Sequence, residues 1–392
     1  MSYKNIYILG VGGSGMSSIA KYLKQKGDNV IGYDQRKSYV TNLLNQDGIK
    51  VVHTLDEITY KPESLYIYSS AIPIESDRFE DFYDKENVLS RPEYLKNLSE
   101  NHKIIGITGT HGKTSTTALL SHIFHFNNVN VSYLYGGITT FNGIGGHYGD
   151  PDQPLILETD EAFNTFEKIK ISDLLVLNVD SDHLDYFKNL DNYKDAFYKV
   201  MKNVTDNLVI NNDDLNIKSM QELKNPVSYG KDISANFNVQ SPGTFIYENN
   251  KYEIKSDIIG DHFKSNMLGA IILAFLNGIE IKDSLNAIES FAGVKRRIEL
   301  IGISKGVLIY DDYGHHPTEM EATITALKQQ TESKLYVVFQ PHRYTRTMEY
   351  FNSFKDSLKL ADFAIVTDIY PAGESPICLL YTSDAADEKR CG

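Results

Sequence analysis

The sequence predicts an α/β fold of mainly parallel, doubly wound layers arranged in three successive domains. Short apolar runs alternate with amphipathic helical stretches along almost the whole chain. Two glycine-rich turns each stand between such a run and a helix, and 392 residues suffice for two or three domains with a buried core apiece.

The first domain is expected over residues 1–98. Its strands read "NIYILG", "NVIGYD", "IKVV" and "SLYIYSS", with helices such as "MSSIAKYLKQKG" between them. In "ILGVGGSGMSSIAKYL", Gly10, Gly12 and Gly15 hold the G-x-G-x-x-G spacing after a strand, and Asp34 closes the next apolar run. Alone, that is the dinucleotide fingerprint: a tight turn, a helix N-terminus for a pyrophosphate and an acid for a ribose. A dehydrogenase is therefore one reading. The helix "RPEYLKNLSE" and the polar "NHK" mark the boundary.

The second domain, 99–296, argues against a dehydrogenase. "KIIGITGTHGKTSTTALLSHIF" repeats the strand, glycine turn and helix, now with Lys113 and Thr114 at the turn. A nucleoside triphosphate with Mg²⁺ uses both: backbone N–H groups cradle phosphates, the lysine reaches β and γ oxygens, and the hydroxyl meets the metal. Ile107 stands where the strict motif has its first glycine, so the loop is a variant P-loop. Downstream, "ILETDEAF" sets Glu158, Asp160 and Glu161 after a strand, and "LNVDSDHLDYF" does the same with Asn178, Asp182, His183 and Asp185. Strand ends are where ligands collect in open α/β sheets, and acids there suit a second divalent ion. Spacing leaves His183 open between ligand, proton shuttle and cap neighbour, and leaves Asp182 and Asp185 open between site and helix cap. His122 and His125, inside the helix after the P-loop, read as packing or surface residues. A β-rich stretch, "ANFNVQSPGTFIYENNKYEIKSD", reads as a meander before two closing helices.

The third domain, 297–377, follows "GVKRRIELIG" with the strands "GVLIYDDY", "KLYVVFQ" and "FAIVTDIY". Arg296 and Arg297 suit a transferred phosphoryl group or an ordinary charged interface. "YDDYGHHPTE" and "FQPHRYTRT" gather Asp312, Tyr313, His315, His316, His342, Arg343 and Arg346 at strand ends, a polar density foreign to a core. About three strands leave this domain without an evident ending. Residues 378–392 break the pattern, hold the chain's two cysteines, and read as a foreign tail or a disordered one.

A net charge of -13 disfavours nucleic acid and anionic membranes as main partners. No run of eighteen apolar residues predicts membrane insertion, no signal peptide opens the chain, and a body without cysteine fits the cytoplasm.

Taken in order, "GVGGSGMSSIA", "GTHGKTSTT", "ETDE", "NVDSDHLDYF", "GVKRRIELIG", "DDYGHHPTE" and "FQPHRYTRT" resemble the motifs of the Mur ligases over residues 1 to about 377. The resemblance implies a Rossmann-like UDP-binding domain, a central P-loop ATPase domain and a partial Rossmann-like C-terminal domain. It also implies that the first loop holds a UDP-sugar diphosphate, with no hydride transfer. Within the family the motifs look most like the branch joining L-alanine to UDP-N-acetylmuramate through an acyl phosphate. A sister branch that attaches a tripeptide and an inactive binding fragment are the alternatives.

By the same resemblance Gly12, Gly13, Ser14, Gly15, Met16, Asp34 and Ser70 face the UDP-sugar. Gly109, Thr110, His111, Gly112, Lys113, Thr114, Ser115, Asn266 and Asp312 face ATP. Lys113, Glu158, His183 and Arg297 serve catalysis, Thr114, Glu158 and His183 hold Mg²⁺, and Tyr313, His315, Arg343 and Arg346 hold L-alanine. Closure of the third domain would assemble the site. The chain departs from the family pattern at Ala162 and Phe163, where a hydroxyl and an acid are usual, and at Phe263, where an amide is. Members of the family continue well past "YPAGESPI", so the resemblance implies that the last part of the third domain is absent.

Overall fold

The computed structural model describes residues 3–182, 184–220, 223 and 225–377. The reading of 378–392 as a foreign tail lies outside them. Two compact units emerge: one runs up to Asp257 and resumes over Phe263–Lys295, and the other comprises Ile258–His262 and the chain from Arg296 onward.

The first unit opens with β1 (Asn5–Leu9), α1 (Ser14–Gln25), β2 (Val30–Tyr33), α2 (Tyr39–Gln46), β3 (Lys50–Val52), β4 (Ser64–Tyr68), β5 (Val88–Ser90) and α3 (Arg91–Ser99). The five strands form a parallel sheet in the order β3-β2-β1-β4-β5. Chain order reverses on either side of β1, so the turn after β1 opens at a switch point, where a crevice forms in such sheets.

The chain continues through β6 (Ile104–Thr108), α4 (Lys113–Phe126), β7 (Ser132–Thr139), β8 (Gly143–His147), β9 (Leu155–Glu158), β10 (Asp173–Val176), α5 (Leu184–Phe187), α6 (Leu190–Lys202), β11 (Asn207–Asn211), α7 (Leu215–Lys218) and β12 (Val227–Gly230). The meander follows as β13 (Phe237–Ser241), β14 (Thr244–Tyr247) and β15 (Asn250–Glu253), then α8 (Asp261–Leu276) and α9 (Ile281–Glu289). One sheet takes all ten strands, in the order β15-β14-β13-β12-β11-β10-β6-β9-β7-β8. From β13 to β7 it is parallel, and β8, β14 and β15 join antiparallel at its edges. The central strand β6 is buried at every position, "IIGIT", as expected for a parallel strand covered on both faces. Its following turn is again at a switch point, between β10 and β9.

The two sheets are joined by α1, which belongs to the first and packs on the β7–β8 hairpin of the second. A Cβ placed on Gly146 would lie 2.0 Å from the Ser18 carbonyl oxygen, so only glycine permits this approach. Lys21, almost fully buried on the same helix, donates to the carbonyls of Asn142 and Ile144. Burial pushes its ammonium below the ordinary lysine pKa, with Asp47 opposing the shift. His122 is buried in α4 as a packing residue, its Nε2 3.0 Å from Ser290 Oγ and its ring beside Phe141 and Phe291.

The second unit contains β16 (Glu299–Ser304), β17 (Val307–Asp311), α10 (Pro317–Gln329), β18 (Tyr336–Phe339), α11 (Tyr344–Glu349), α12 (Phe351–Leu358) and β19 (Phe363–Val366). The three expected strands are present as β17, β18 and β19. A fourth, β16, is added by a hairpin whose two turn residues, Lys305 and Gly306, both have positive φ, the geometry that matches strand twist. Its strands form two separate pairs, β16-β17 and β18-β19. The core is small, with Met320, Phe339 and Phe354 buried together, and Leu308, Val338, Phe363 and Ile365 are exposed on the strands.

Substituting Gly146→Val should force α1 off the hairpin and destabilise the first unit by about 1–3 kcal/mol, the usual cost of overpacking. Urea denaturation of the variant against wild type measures this. An unchanged midpoint would mean that α1 and the hairpin are not in backbone contact.

Candidate active site

Both glycine turns lead into helices whose N-termini lack a side-chain cap. Gly13 precedes α1 and Gly112, at φ 85°, precedes α4; neither supplies a side-chain cap bond, and neither first turn holds an acid. By contrast α2 and α3 carry capping boxes built on Ser38 and Ser90. Uncapped N–H groups at a helix start form a site for anions.

In the second turn the Lys113 ammonium donates to the carbonyls of Gly109, at 2.6 Å, and Thr110, at 3.0 Å, and pairs with Glu161 at 2.9 Å. Burial pushes its pKa down, but Glu161, Asp160 and Glu158 outweigh that and hold it above the ordinary lysine value. Thr114 Oγ1 donates to Glu158 Oε1 at 2.8 Å, and Glu158 Oε2 accepts from the Gly136 N–H at 2.6 Å. A hydroxyl and a carboxylate so close together are hard oxygen donors, and they fit Mg²⁺. His183, expected to complete that set, lies outside the described residues.

The loop is held by the β10 end. The His111 N–H donates to Asn178 Oδ1 at 2.8 Å, and Asn178 returns a bond to the His111 carbonyl. Thr110 Oγ1 lies 3.0 Å from Tyr193 OH and accepts from the Asp180 N–H. His111 Nε2 is 3.1 Å from Asp180 Oδ2, and Ser115 is buried in the first turn of α4. Asn266, on α8, closes over the turn: a Cβ on Gly112 would be 2.4 Å from its Nδ2. Asp180 and Tyr193 were not singled out as site residues from sequence, whereas Glu161 was named with the acids of its strand end. Asp180 lies within the acid-rich "LNVDSDHLDYF" stretch, and Tyr193 carried no sequence signal.

The first turn faces the same region. Gly13, Ser14, Gly15, Met16 and Ser70 line a cavity of about 290 Å³ together with Gly136, Glu158, Asp160 and Ala162. Asp34 acts on the loop itself: Oδ2 accepts from the Gly12 N–H at 2.9 Å and Oδ1 from the Arg36 N–H. From the end of β2 the residue expected to accept from a ribose thus braces the glycine turn that follows β1.

In the second unit, Asp312 accepts from the N–H groups of Ile298 and Gly314, which shapes the turn between β17 and α10. Arg297 lies over the Tyr313 ring, 5.4 Å from its centroid, and 3.8 Å from Glu319. His315 Nδ1 lies 3.1 Å from the Tyr313 carbonyl. Asp312, Tyr313, His315 and His342 border a cavity of about 710 Å³. Burial, then His315, Arg346 and Arg343, push the His342 pKa down. Arg343 Nε donates to Glu374 Oε1 at 2.6 Å, and the Thr345 N–H donates to the other oxygen. Burial opposes ionisation of Glu374, but Thr345 and Arg343 hold its pKa down at about 2. Arg346 is buried one turn further along α11.

Three family models match in chain order: Mur ligase family, catalytic domain, over 5–103, Mur ligase middle domain over 107–274, and Mur ligase, glutamate ligase domain, over 296–385. The chain is 34% identical to the UDP-N-acetylmuramate–L-alanine ligase of Clostridium botulinum across 99% of its length and 88% of that relative. The chain belongs to the Mur ligase family. The corresponding ligase of Caldicellulosiruptor saccharolyticus is 35% identical, over 98% of this Mur ligase and 88% of the relative. Among solved structures, the UDP-N-acetylmuramate–alanine ligase of Thermotoga maritima superposes with a TM-score of 0.79 at 26% identity, covering 93% of this chain and 85% of that one. A murein peptide ligase from Psychrobacter arcticus shares the fold, with a TM-score of 0.71 at 23% identity and coverage of 93% and 84%. Among the described residues no helix is long and apolar enough to cross a membrane.

Two substitutions separate the turns of this Mur ligase. Lys113→Ala should lower ATP-dependent ligation at least ~10²-fold, the scale for losing a preorganised electrostatic contact, while sugar-nucleotide binding persists. Wild-type turnover in that variant would remove Lys113 from the phosphoryl site. Gly12→Val should abolish UDP-sugar binding and spare ATP, because its Cβ alone would sit 2.7 Å from the Asp34 carboxylate that braces the turn. Calorimetry with each nucleotide reads this out, and intact UDP-sugar affinity would contradict it.

Proposed function

We propose that the protein ligates L-alanine to the lactoyl carboxylate of UDP-N-acetylmuramate at the expense of ATP, in the cytoplasm, as the first amino-acid addition to a peptidoglycan precursor. The observation that carries this reading is Glu158. One of its oxygens takes the P-loop Thr114 hydroxyl and the other the Gly136 N–H, while a Cβ on Gly136 would meet Ser14 Oγ of the first turn at 3.1 Å. A nucleotide on each turn would therefore share one crevice, as transfer of a phosphoryl group to a sugar-borne carboxylate requires. The relatives named for this reaction span nearly the whole chain.

A free carboxylate is a poor electrophile, so ATP first phosphorylates it, the alanine amine attacks the acyl phosphate, and the tetrahedral intermediate expels phosphate. Lys113 would hold the γ-phosphoryl oxygens, which must draw its ammonium from Glu161. Backbone N–H groups from Gly109 to Ser115 would cradle the remaining phosphates. Mg²⁺, held by Thr114 and Glu158 with His183, supplies neutralising charge to the phosphate oxygens when bound. The Gly12–Met16 turn and Ser70 would hold the UDP-sugar. Arg297 offers a further cation to the phosphoryl group, and Asp312 serves the ATP ribose. Tyr313 and His315 serve the amino acid, with Arg343 and Arg346 matching its carboxylate.

The test is phosphate release coupled to product formation with UDP-N-acetylmuramate, ATP and either L-alanine or the cell-wall tripeptide. Faster ligation of L-alanine, by at least about tenfold in kcat/KM, is the expected result. Preference for the tripeptide would assign the recycling reaction, and binding of both nucleotides without turnover would assign a binding module.

A further inference from the structure

The cavity below the first turn contains a cation that the sequence reading did not single out. Arg91 opens α3, and its guanidinium projects into that cavity against the start of α1. A Cβ on Gly15 would lie 2.9 Å from Arg91 Nε and 3.2 Å from Nη2, so the guanidinium rests on the backbone of the first turn of α1. Its Nε is buried without a hydrogen-bond partner. The nearest acid on its own helix, Glu93, is occupied by the N–H and hydroxyl of Ser90, at 2.7 and 2.6 Å. Across the cavity Asp160 stands 3.8 Å from Nη1, beyond hydrogen-bond range.

This arrangement sets positive against positive. A helix N-terminus carries roughly half a unit of positive charge, and α1 offers neither a capping side chain nor an acid to offset it. The guanidinium charge beside it is answered by Asp160 only at 3.8 Å, so an anion that touches both the guanidinium and the helix start is favoured there. Fork-like donors of arginine and N–H groups of a helix start both select phosphoryl oxygens.

We propose that Arg91 is a diphosphate-binding residue that grips the pyrophosphate of the nucleoside-diphosphate sugar from beside the glycine turn, where its guanidinium lies against Gly15. The proposal rests on the sugar-nucleotide reading of that turn given above. On binding, Arg91 exchanges its long contact with Asp160 for direct hydrogen bonds to phosphate. It touches substrate at the diphosphate, away from the reacting carboxylate, so its loss shows in substrate affinity.

Calorimetry with UDP-N-acetylmuramate, UDP and ATP on the wild type and on Arg91→Gln, Arg91→Lys and Asp160→Asn tests the proposal. Arg91→Gln should weaken UDP-N-acetylmuramate and UDP alike by roughly 10- to 100-fold, the range for losing a charge-assisted bond, and leave ATP affinity within about twofold. Arg91→Lys should recover part of the loss, since it restores charge without the fork. Asp160→Asn should bind the UDP ligands at least as tightly as wild type. Unchanged UDP affinity in Arg91→Gln overturns the proposal. So does an equal loss of ATP affinity, which indicates a structural role, or an Asp160→Asn variant that matches Arg91→Gln, which indicates action through the ion pair. A wild type that binds no UDP ligand refutes the functional reading itself, a distinct result.

Discussion

The Glu158 carboxylate is the contact on which the rest of the site depends. It ends the buried strand β9 and spends its two oxygens in two directions, toward the P-loop hydroxyl of Thr114 and toward the Gly136 N–H beside the first turn. A carboxylate is held in one orientation where hydrogen-bond donors meet both of its oxygens. Here those donors come from a helix start and from a neighbouring strand, so the acid fixes the spacing of both. The same oxygens are hard donors of the kind a divalent ion takes.

That arrangement requires the two sheets to be held together without intervening side-chain bulk. Glycine supplies the means at the β7–β8 hairpin, where Gly146 admits the α1 backbone, and Lys21 fastens the same helix to two hairpin carbonyls. The closeness has an electrostatic counterpart. Two uncapped helix starts, Lys113 and Arg91 supply positive charge, and Glu158, Asp160 and Glu161 supply the answering negative charge within the same crevice. In a chain of net charge -13, this crevice concentrates cations where phosphates are expected.

The second unit follows a different logic. Two of its acids are held by hydrogen bonds: Asp312 accepts from two backbone N–H groups, and Glu374 accepts from Arg343 and Thr345. Its apolar core is small and its strands form two separate pairs. A unit in which few apolar side chains leave water has little burial to stabilise it.

The alternation of strands and helices, the two glycine turns with Lys113 and Thr114, and the acid-rich strand ends were legible because each is a local pattern with a local physical cause. Alternating period marks elements, and glycine marks turns that need positive φ or close backbone approach. The hairpin of β16 with β17 was missed because its turn, Lys305-Gly306, is short and its apolar residues resemble a domain linker. Arg91 and Glu374 were missed for another reason. Each lies in an unremarkable stretch, and its meaning comes from a partner distant in sequence: Gly15 and Asp160 for Arg91, and Arg343 for Glu374. Sequence alone determined that two glycine turns of the phosphate-cradle kind stand between a strand and a helix, because such turns are written in contiguous residues. Tertiary structure alone decided that the first turn and the P-loop share Glu158, because that depends on how two sheets pack across α1, a contact with no counterpart in spacing along the chain.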